Sequence, residues 1–303
     1  MTDTAAPPAE HLGRGIVLIV LAFLALALIS AFAKAASPGV SSGVLVFFQY
    51  AISLVVLSPW FLKGGVASLR TQRPGLQLMW AVFGLASQFL LFVALNLQTP
   101  LVDAVLLANS SPLFIPLVAW VWLKARPDTR LWISLIIGFV GIILIIQPNM
   151  GSISPGMPVA LVAGICSAIG LSAAGQLQLT DPPARTLFWY FAMSTVLAIP
   201  LLVTSWQPPP ASAWPLLLGI GVCMALAQVL TVLAYKLASP SKLSPFNYSV
   251  VVFSALIGWV VWQEVPNLLT WVGVLLVCAG GILSTQRHAG MHPHLAIHKQ
   301  HPS

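Results

Sequence analysis

Residue types that support catalysis are nearly absent from the apolar part of this sequence. No histidine occurs between residues 12 and 287, and the six acidic residues stand singly, at positions 3, 10, 103, 128, 181 and 264. Acid–base catalysis, nucleophile activation and zinc binding need such groups close together. The cysteines, Cys166, Cys223 and Cys278, show no metal-ligand spacing either. We therefore expect no catalytic residue, no metal site and no cofactor.

Neutral polar side chains remain, and their chemistry is hydrogen bonding to a solute or to one another. An unpaired amide in lipid costs several kcal/mol, so such a group must face another helix or a water-filled cavity. Hydrogen bonds between neighbouring helices could explain any one of these polar groups. The clustering of the polar groups on a few helices instead favours a shared cavity. The predicted substrate-binding residues are Gln88, Asn109, Ser110, Ser111, Trp189, Tyr190, Gln228, Asn247 and Tyr248.

Two further groups of residues indicate moving or closing parts. Pro112 and Pro116 each remove a backbone hydrogen bond, which predicts a kink beside Asn109. That kink could contact substrate or be purely structural. Lys34, Asp103 and Glu264 fall at one predicted membrane face, where they could form an outer gate or remain ordinary solvated charges.

The elements that carry these residues are long apolar runs. Hydrophobic residues make up 58% of the 303-residue chain and charged residues only 6%, far below the roughly 25% of a soluble domain. Runs of about 20 apolar residues span a bilayer as helices. The sequence predicts an all-α integral membrane protein with ten transmembrane helices, at residues 14–33, 42–61, 76–97, 101–123, 131–147, 157–177, 185–205, 212–236, 243–262 and 268–286.

The distribution of basic residues predicts the orientation. If the N-terminus is in the cytoplasm, 12 of the 13 Lys and Arg residues lie on the inner side and Lys34 lies on the outer side. Both termini are therefore predicted to be cytoplasmic. The net charge of +7 comes from residues scattered between apolar runs, which argues against nucleic acid as a partner.

The chain also contains an internal duplication. An ungapped shift of 140 residues places Gln88 on Gln228, Pro100 on Pro240 and Trp122 on Trp262. Five helices per copy is an odd number, so the second copy must cross the membrane in the opposite direction. The loop around Pro100 has no basic residue, whereas its counterpart carries Lys236 and Lys242, as inversion requires.

The duplication divides the chain into four predicted parts. Residues 14–147 form the first five-helix repeat and residues 157–286 the second, inverted one, around a central cavity. Residues 1–13 form a cytoplasmic tail, and residues 287–303 form a His-rich cytoplasmic tail that we expect to be disordered. The first run, with Arg14 before it and Ala31-Phe32-Ala33 at its end, could alternatively be a secretory signal, but it is long for one.

Three stretches resemble a known repeat. Phe92-Val-Ala-Leu, the run Asp103-Ala-Val-Leu-Leu-Ala-Asn-Ser-Ser-Pro-Leu-Phe-Ile-Pro-Leu, and Gly138-Phe-Val-Gly-Ile-Ile-Leu are similar to the EamA-type repeat of the drug/metabolite transporter superfamily. The second copy, ending Trp271-Val-Gly-Val and Gly280-Gly-Ile-Leu, is similar too, so the resemblance covers about residues 14–286. Lys34 also matches the family.

The sequence departs from the family at two positions. Gln49 stands where many members carry Arg, and Lys124 stands where many carry Glu, although Glu264 keeps that acid in the second copy.

The resemblance implies a function as well as a fold. Members have ten helices in two inverted halves around a central cavity and usually export solutes from the bacterial cytoplasm. We expect a secondary transporter in the inner membrane that exports small metabolites, amino acids above all, by alternating access. The alternatives are an ungated facilitator or pore, or a transporter of nucleotide sugars or drug-like compounds. The expected partners are the substrate and the lipid bilayer, with the protein as a monomer or homodimer.

Overall fold

The computed structural model describes residues 11–63, 65, 69–123, 129–146, 154–238 and 240–288. Most of both predicted tails, and the loop with Lys124 and Asp128, lie outside these residues. Regular structure within them is helical throughout. The α-helices are α1 (Leu12–Ala36), α2 (Ser42–Leu62), α3 (Pro74–Asn96), α4 (Leu101–Ala108), α5 (Ser111–Leu123), α6 (Thr129–Ile146), α7 (Gly156–Leu177), α8 (Pro183–Thr204), α9 (Trp214–Leu237), α10 (Pro240–Leu243), α11 (Ser249–Trp262) and α12 (Leu268–His288).

These helices account for ten membrane crossings. Eight helical stretches are long and apolar enough to cross a bilayer, and two shorter apolar helices, Trp132–Ile145 and Leu268–Gly280, add to them, which gives 8 + 2 = 10. We call the crossing formed by α4 and α5 span 4. We call the one formed by α10, a 3-10 turn at Ser244–Tyr248 and α11 span 9. The predicted all-α fold of ten spans is confirmed.

Local sequence explains where these helices begin. Ser41 caps α2, because its hydroxyl accepts a hydrogen bond from the Val44 N–H at 3.4 Å. Prolines open α3 and α8, where the missing N–H has no partner in the helix anyway. Between such ends the chain is apolar, and in lipid a helix satisfies every backbone group internally.

The two repeats interleave with a pseudo-twofold pattern. Helix α3 packs against α7, and their equivalents in the other repeat, α9 and α1, also pack against each other. Likewise α4 packs on α7 as α11 packs on α1, and α3 packs on α8 as α9 packs on α2. Helix α2 also packs on α8, α6 on α12 and α4 on α11, and each of these pairs joins two equivalent helices. These contacts between the repeats thus come in equivalent pairs, as expected for inverted repeats.

Small residues allow α6 and α12 to pack closely. A Cβ placed on Gly141 of α6 would lie 2.7 Å from the Gly273 carbonyl oxygen of α12. A Cβ on Gly280 of α12 would lie 2.7 Å from the Ser134 carbonyl oxygen of α6. Backbones approach this closely in membranes where side chains are small.

A tyrosine pair marks the pseudo-twofold axis. Tyr50 and Tyr190 are 190 − 50 = 140 residues apart, the same as the shift that relates the repeats. Their hydroxyl oxygens are 2.9 Å apart, and their rings meet edge to face with centroids 5.5 Å apart. Two equivalent residues touch only where the axis passes between them.

Candidate functional site

The interruption in span 4 lies beside the predicted prolines. Helix α4 ends at Ala108 and α5 begins at Ser111, so Pro112 is the second residue of α5 and the helix continues through Pro116. Pro112 has no N–H for the preceding turn and disfavours helical geometry at Ser111. The chain therefore leaves the helix at Asn109 and Ser110 and starts a new one.

The side chains at this interruption bond to their own backbone. The Asn109 amide donates to the Val105 carbonyl at 2.8 Å, and the Ser110 hydroxyl donates to the Leu107 carbonyl at 2.6 Å. Ser110 is fully buried where span 4 meets Gly164 of α7, and Ser111 is buried beside it. Two of the three predicted ligands of span 4, Asn109 and Ser110, thus already bond to the backbone.

The equivalent region of span 9 is different. The 3-10 turn runs into α11 at Ser249, and its side chains include polar atoms that are buried without a hydrogen-bond partner. They are Asn247 Oδ1, Tyr248 Oη, Ser249 Oγ and, one turn and a half further on, Ser254 Oγ. Two of these residues, Asn247 and Tyr248, belong to the predicted set.

An amide pair lies between α2 and α3. The Gln88 amide donates to Gln49 Oε1 at 3.3 Å, while Gln49 Nε2 is buried without a partner. One turn further along α2, the Ser53 hydroxyl lies 2.8 Å from the Gly221 carbonyl of α9. Gln228, the equivalent of Gln88, is half-buried on α9. Because Trp189 replaces Gln49 in the second repeat, Gln228 lacks the matching amide.

The two predicted aromatic residues of α8 separate in the structure. The Trp189 indole donates to the Leu69 carbonyl at 2.7 Å, which ties α8 to the connection between α2 and α3. Tyr190 instead contacts Tyr50, and Trp80 stacks on it with ring centroids 4.2 Å apart and planes at 14°. Gly84 leaves room for the Tyr190 ring. No feature of the sequence indicated that Trp80 stacks on Tyr190.

The three predicted gate residues gather at one end of the bundle. Lys34 forms an ion pair with Glu264 and donates to the Thr99 carbonyl at 3.2 Å. The other Glu264 oxygen accepts from the Leu101 N–H at 2.8 Å. Lys34 is 5% exposed and Glu264 23%, so these are largely buried rather than solvated charges. The network joins α1 and the start of span 4 in the first repeat to the end of span 9 in the second.

Asp103 adds a second carboxylate to this network. It is 7% exposed, and its Oδ1 atom has no hydrogen-bond partner among the described residues. It interacts electrostatically with both Glu264 and Lys34. One buried cation therefore faces two carboxylates.

A polar anchor that the sequence did not predict lies at the other end. Asp181 accepts hydrogen bonds from the Thr71 hydroxyl at 2.7 Å, the Arg185 guanidinium at 2.9 Å and the Gln77 amide at 3.4 Å. Burial raises the pKa of the Asp181 carboxyl, but the hydrogen bonds from Thr71 and Arg185 outweigh it and hold that pKa below its usual value. Asp181 is thus ionised at neutral pH and joins the second repeat to the first.

Within the described ranges, no three His, Cys, Asp or Glu residues are grouped to hold a metal ion. What the arrangement offers is hydrogen bonding inside the bundle and polar links between repeats at its two ends. Two interleaved five-span repeats with polar groups inside are an architecture typical of membrane transporters. The chain belongs to the EamA-like transporter family, whose pattern matches residues 13–147 and again residues 154–286.

Curated relatives are similar to this chain over most of their length. It is 29% identical to a riboflavin transporter of Vibrio cholerae, over 91% of this chain and 94% of the relative. It is 31% identical to the pseudopaline exporter CntI of Pseudomonas aeruginosa, over 93% of this chain and 99% of the relative. It is 25% identical to an S-adenosylmethionine uptake transporter of Rickettsia bellii, over 76% of this chain and 79% of the relative.

A solved crystal structure shares the fold. It has a TM-score of 0.60 and 19% sequence identity, and the match covers 91% of this chain and 99% of that one. Together with the family, the curated relatives identify the chain as a multi-pass membrane transporter of small molecules. The relatives' names cover different solutes and both directions of transport.

Proposed function

We propose that this protein is a secondary transporter that exports small uncharged or zwitterionic metabolites, amino acids first among them, across the bacterial inner membrane. The observation that carries the proposal is the Lys34–Glu264 ion pair, because it joins the two repeats across one end of the bundle. A carrier that alternates needs a link of this kind, which forms when that end closes and breaks when it opens. An ungated pore has no use for it.

The polar interior supports this class of substrate. Amides and hydroxyls line the described middle of the bundle, at Gln49, Gln88, Asn247 and Ser254. Such groups donate and accept hydrogen bonds without a net charge, which suits a solute that is itself neutral overall. The distribution of basic residues in the loops supports cytoplasmic termini, with the Lys34 end at the outer face.

A flat aromatic solute is the second candidate substrate. Trp80, on the same helix as Gln88, stacks on Tyr190, and a ring of a solute could be held in the same way. One relative over nearly the whole length is a riboflavin transporter.

The test is transport by purified protein in liposomes. The panel is labelled serine, glutamine, riboflavin, S-adenosylmethionine and a nucleotide sugar, each tested singly, with protein-free liposomes as the control. We expect saturable uptake of at least one solute and counterflow, in which unlabelled solute inside drives transient accumulation of the label. Non-saturable flux without counterflow would indicate a pore and contradict alternating access. Flux of the nucleotide sugar alone would contradict the proposed substrate class.

A further inference from the structure

The unpartnered polar atoms of span 9 form a cluster, whereas the described part of span 4 has a single such atom, Asp103 Oδ1. Among the described residues, the side chains of Tyr248, Ser249 and Ser254 have no hydrogen-bond partner, and Asn247 Oδ1 has none either. All four residues belong to one continuous stretch. The unpartnered atoms of the first repeat are scattered over α2, α3 and α4 instead. Gln49, Gln77 and Asn96 are each held by another hydrogen bond of the same side chain.

Helical spacing turns two of these atoms toward the interior. Asn247 and Ser254 are seven residues apart, which is two helical turns and therefore the same face. Val250, Val251 and Gly258 on that face are buried, and a Cβ on Gly258 would lie 3.6 Å from the Leu101 side chain at the start of α4. The face is thus directed at α1 and α4, inside the bundle, and not at lipid.

Such atoms are costly unless something binds them. A buried polar atom without a partner lowers stability, and the net free energy of folding is small enough for a few such atoms to matter. Since most buried polar groups in native proteins are paired, an unpaired cluster needs an explanation. A ligand that supplies hydrogen bonds during part of the transport cycle is such an explanation.

We propose that Asn247 and Ser254, flanked by Tyr248 and Ser249, form the half-site that selects the substrate by its N–H and O–H groups. Asn247 Oδ1 can only accept a hydrogen bond, and the hydroxyls can accept or donate. The described residues of α11 carry no charge. The half-site therefore takes the hydroxyl, amide or amino groups of a polar solute and does not take a phosphate. This inference rests on the proposed transport function.

The experiment combines transport kinetics with thermal stability in detergent. The probes are labelled serine, glutamine and riboflavin, with inorganic phosphate as the anionic control. We expect Asn247→Leu and Ser254→Ala each to raise KM about tenfold, since a hydrogen bond to substrate is lost. Both variants should keep or raise Tm, because each removes an unpartnered buried atom. The matched control is Ser172→Ala on α7, whose hydroxyl already bonds the Ala168 carbonyl at 2.7 Å. It should leave KM unchanged and lower Tm slightly.

Each remaining outcome has one meaning. If wild-type protein transports a probe and both span 9 variants keep its KM, the half-site is wrong while the transporter stands. The half-site is equally wrong if both variants lower Tm as Ser172→Ala does, because the atoms are then structural. Transport of phosphate would contradict the proposed chemistry. If wild-type protein moves no member of the panel, the proposed function fails and the half-site falls with it.

Discussion

The two ends of the bundle join the repeats by different interactions. At one end the link is an ion pair, Lys34 with Glu264, buried beside a second carboxylate, Asp103. At the other end it consists of hydrogen bonds from Thr71 and Gln77 to Asp181, whose own ion pair with Arg185 stays within the second repeat. Yet the backbone of the two repeats follows one pattern.

The sequence shows why the ion pair is not repeated. A shift of 140 residues takes Lys34 to Ala174 and Glu264 back to Lys124, which lies outside the described residues. An alanine and a lysine cannot form the same pair. The shared backbone pattern of the repeats therefore does not extend to the interactions at their ends, which differ because of substitutions at a few positions. We therefore expect the stability of the Lys34 end and of the Asp181 end to respond differently to mutation and to pH.

The largest effect is expected at the Lys34 end. Lys34→Met leaves Glu264 and Asp103 as buried carboxylates without a cation, and breaking a buried pair in this way costs about 3–5 kcal/mol. Thermal or denaturant unfolding in detergent measures the loss. The double variant Lys34→Met with Glu264→Gln should recover part of it, since one uncompensated charge is gone. A loss below about 1 kcal/mol, as for a surface pair, would show that this end is held by packing alone.

The Asp181 end should lose less and should depend on pH. Asp181→Asn removes charge-assisted hydrogen bonds worth about 1–3 kcal/mol at neutral pH. The pKa of Asp181 is lowered by folding, so its contribution is present above its unfolded pKa, near 3.8, and is lost as pH falls through the lower folded value. The stability difference between wild type and variant should therefore shrink below about pH 4. A constant difference between pH 7 and pH 3 would contradict this account.

The tyrosine pair on the axis should give a smaller, coupled effect. Tyr50→Phe and Tyr190→Phe each remove one hydroxyl and leave the other buried without its partner. Each should lower stability by about 1 kcal/mol. The double variant should cost less than the sum of the two, because no orphan hydroxyl remains. Strict additivity in this double-mutant cycle would show that the bond between equivalent residues contributes nothing.

The smallest effect on stability is expected at Gln228. Gln228→Ala should leave Tm nearly unchanged while transport in liposomes falls or changes its preference among solutes. Gln88→Ala should also impair transport but lower Tm modestly, because the Gln49 amide then loses its partner. Normal transport by both variants would assign these amides to helix packing.

The sequence predicted what depends on local composition and on periodicity. Apolar runs gave the ten spans, the 140-residue shift gave the repeats, and Pro112 indicated the interruption that lies at Asn109 and Ser110. The same shift relates Tyr50 to Tyr190, so their contact on the axis could have been inferred from it.

Hydrogen-bond partners were not predictable in the same way. Which residue a side chain meets depends on the rotation of each helix about its own axis, and that is set by packing across the whole bundle. Trp189 and Tyr190 are neighbours in sequence but face different surroundings, Leu69 and Trp80. For the same reason the sequence did not predict that Gln49 pairs with Gln88 or that Asp181 anchors the far end.

The central claim is that the two repeats cross the membrane in opposite directions, and cysteine labelling in cells tests it most directly. Gln98 lies in the connection before span 4 and Lys242 lies in α10 at the start of the equivalent span 9, and both residues are exposed. In a background without Cys166, Cys223 and Cys278, Gln98→Cys should react with a membrane-impermeant maleimide in intact cells. Lys242→Cys should react only after the membrane is permeabilised. Labelling of both positions from the same side would contradict the inverted repeat and the transport mechanism built on it.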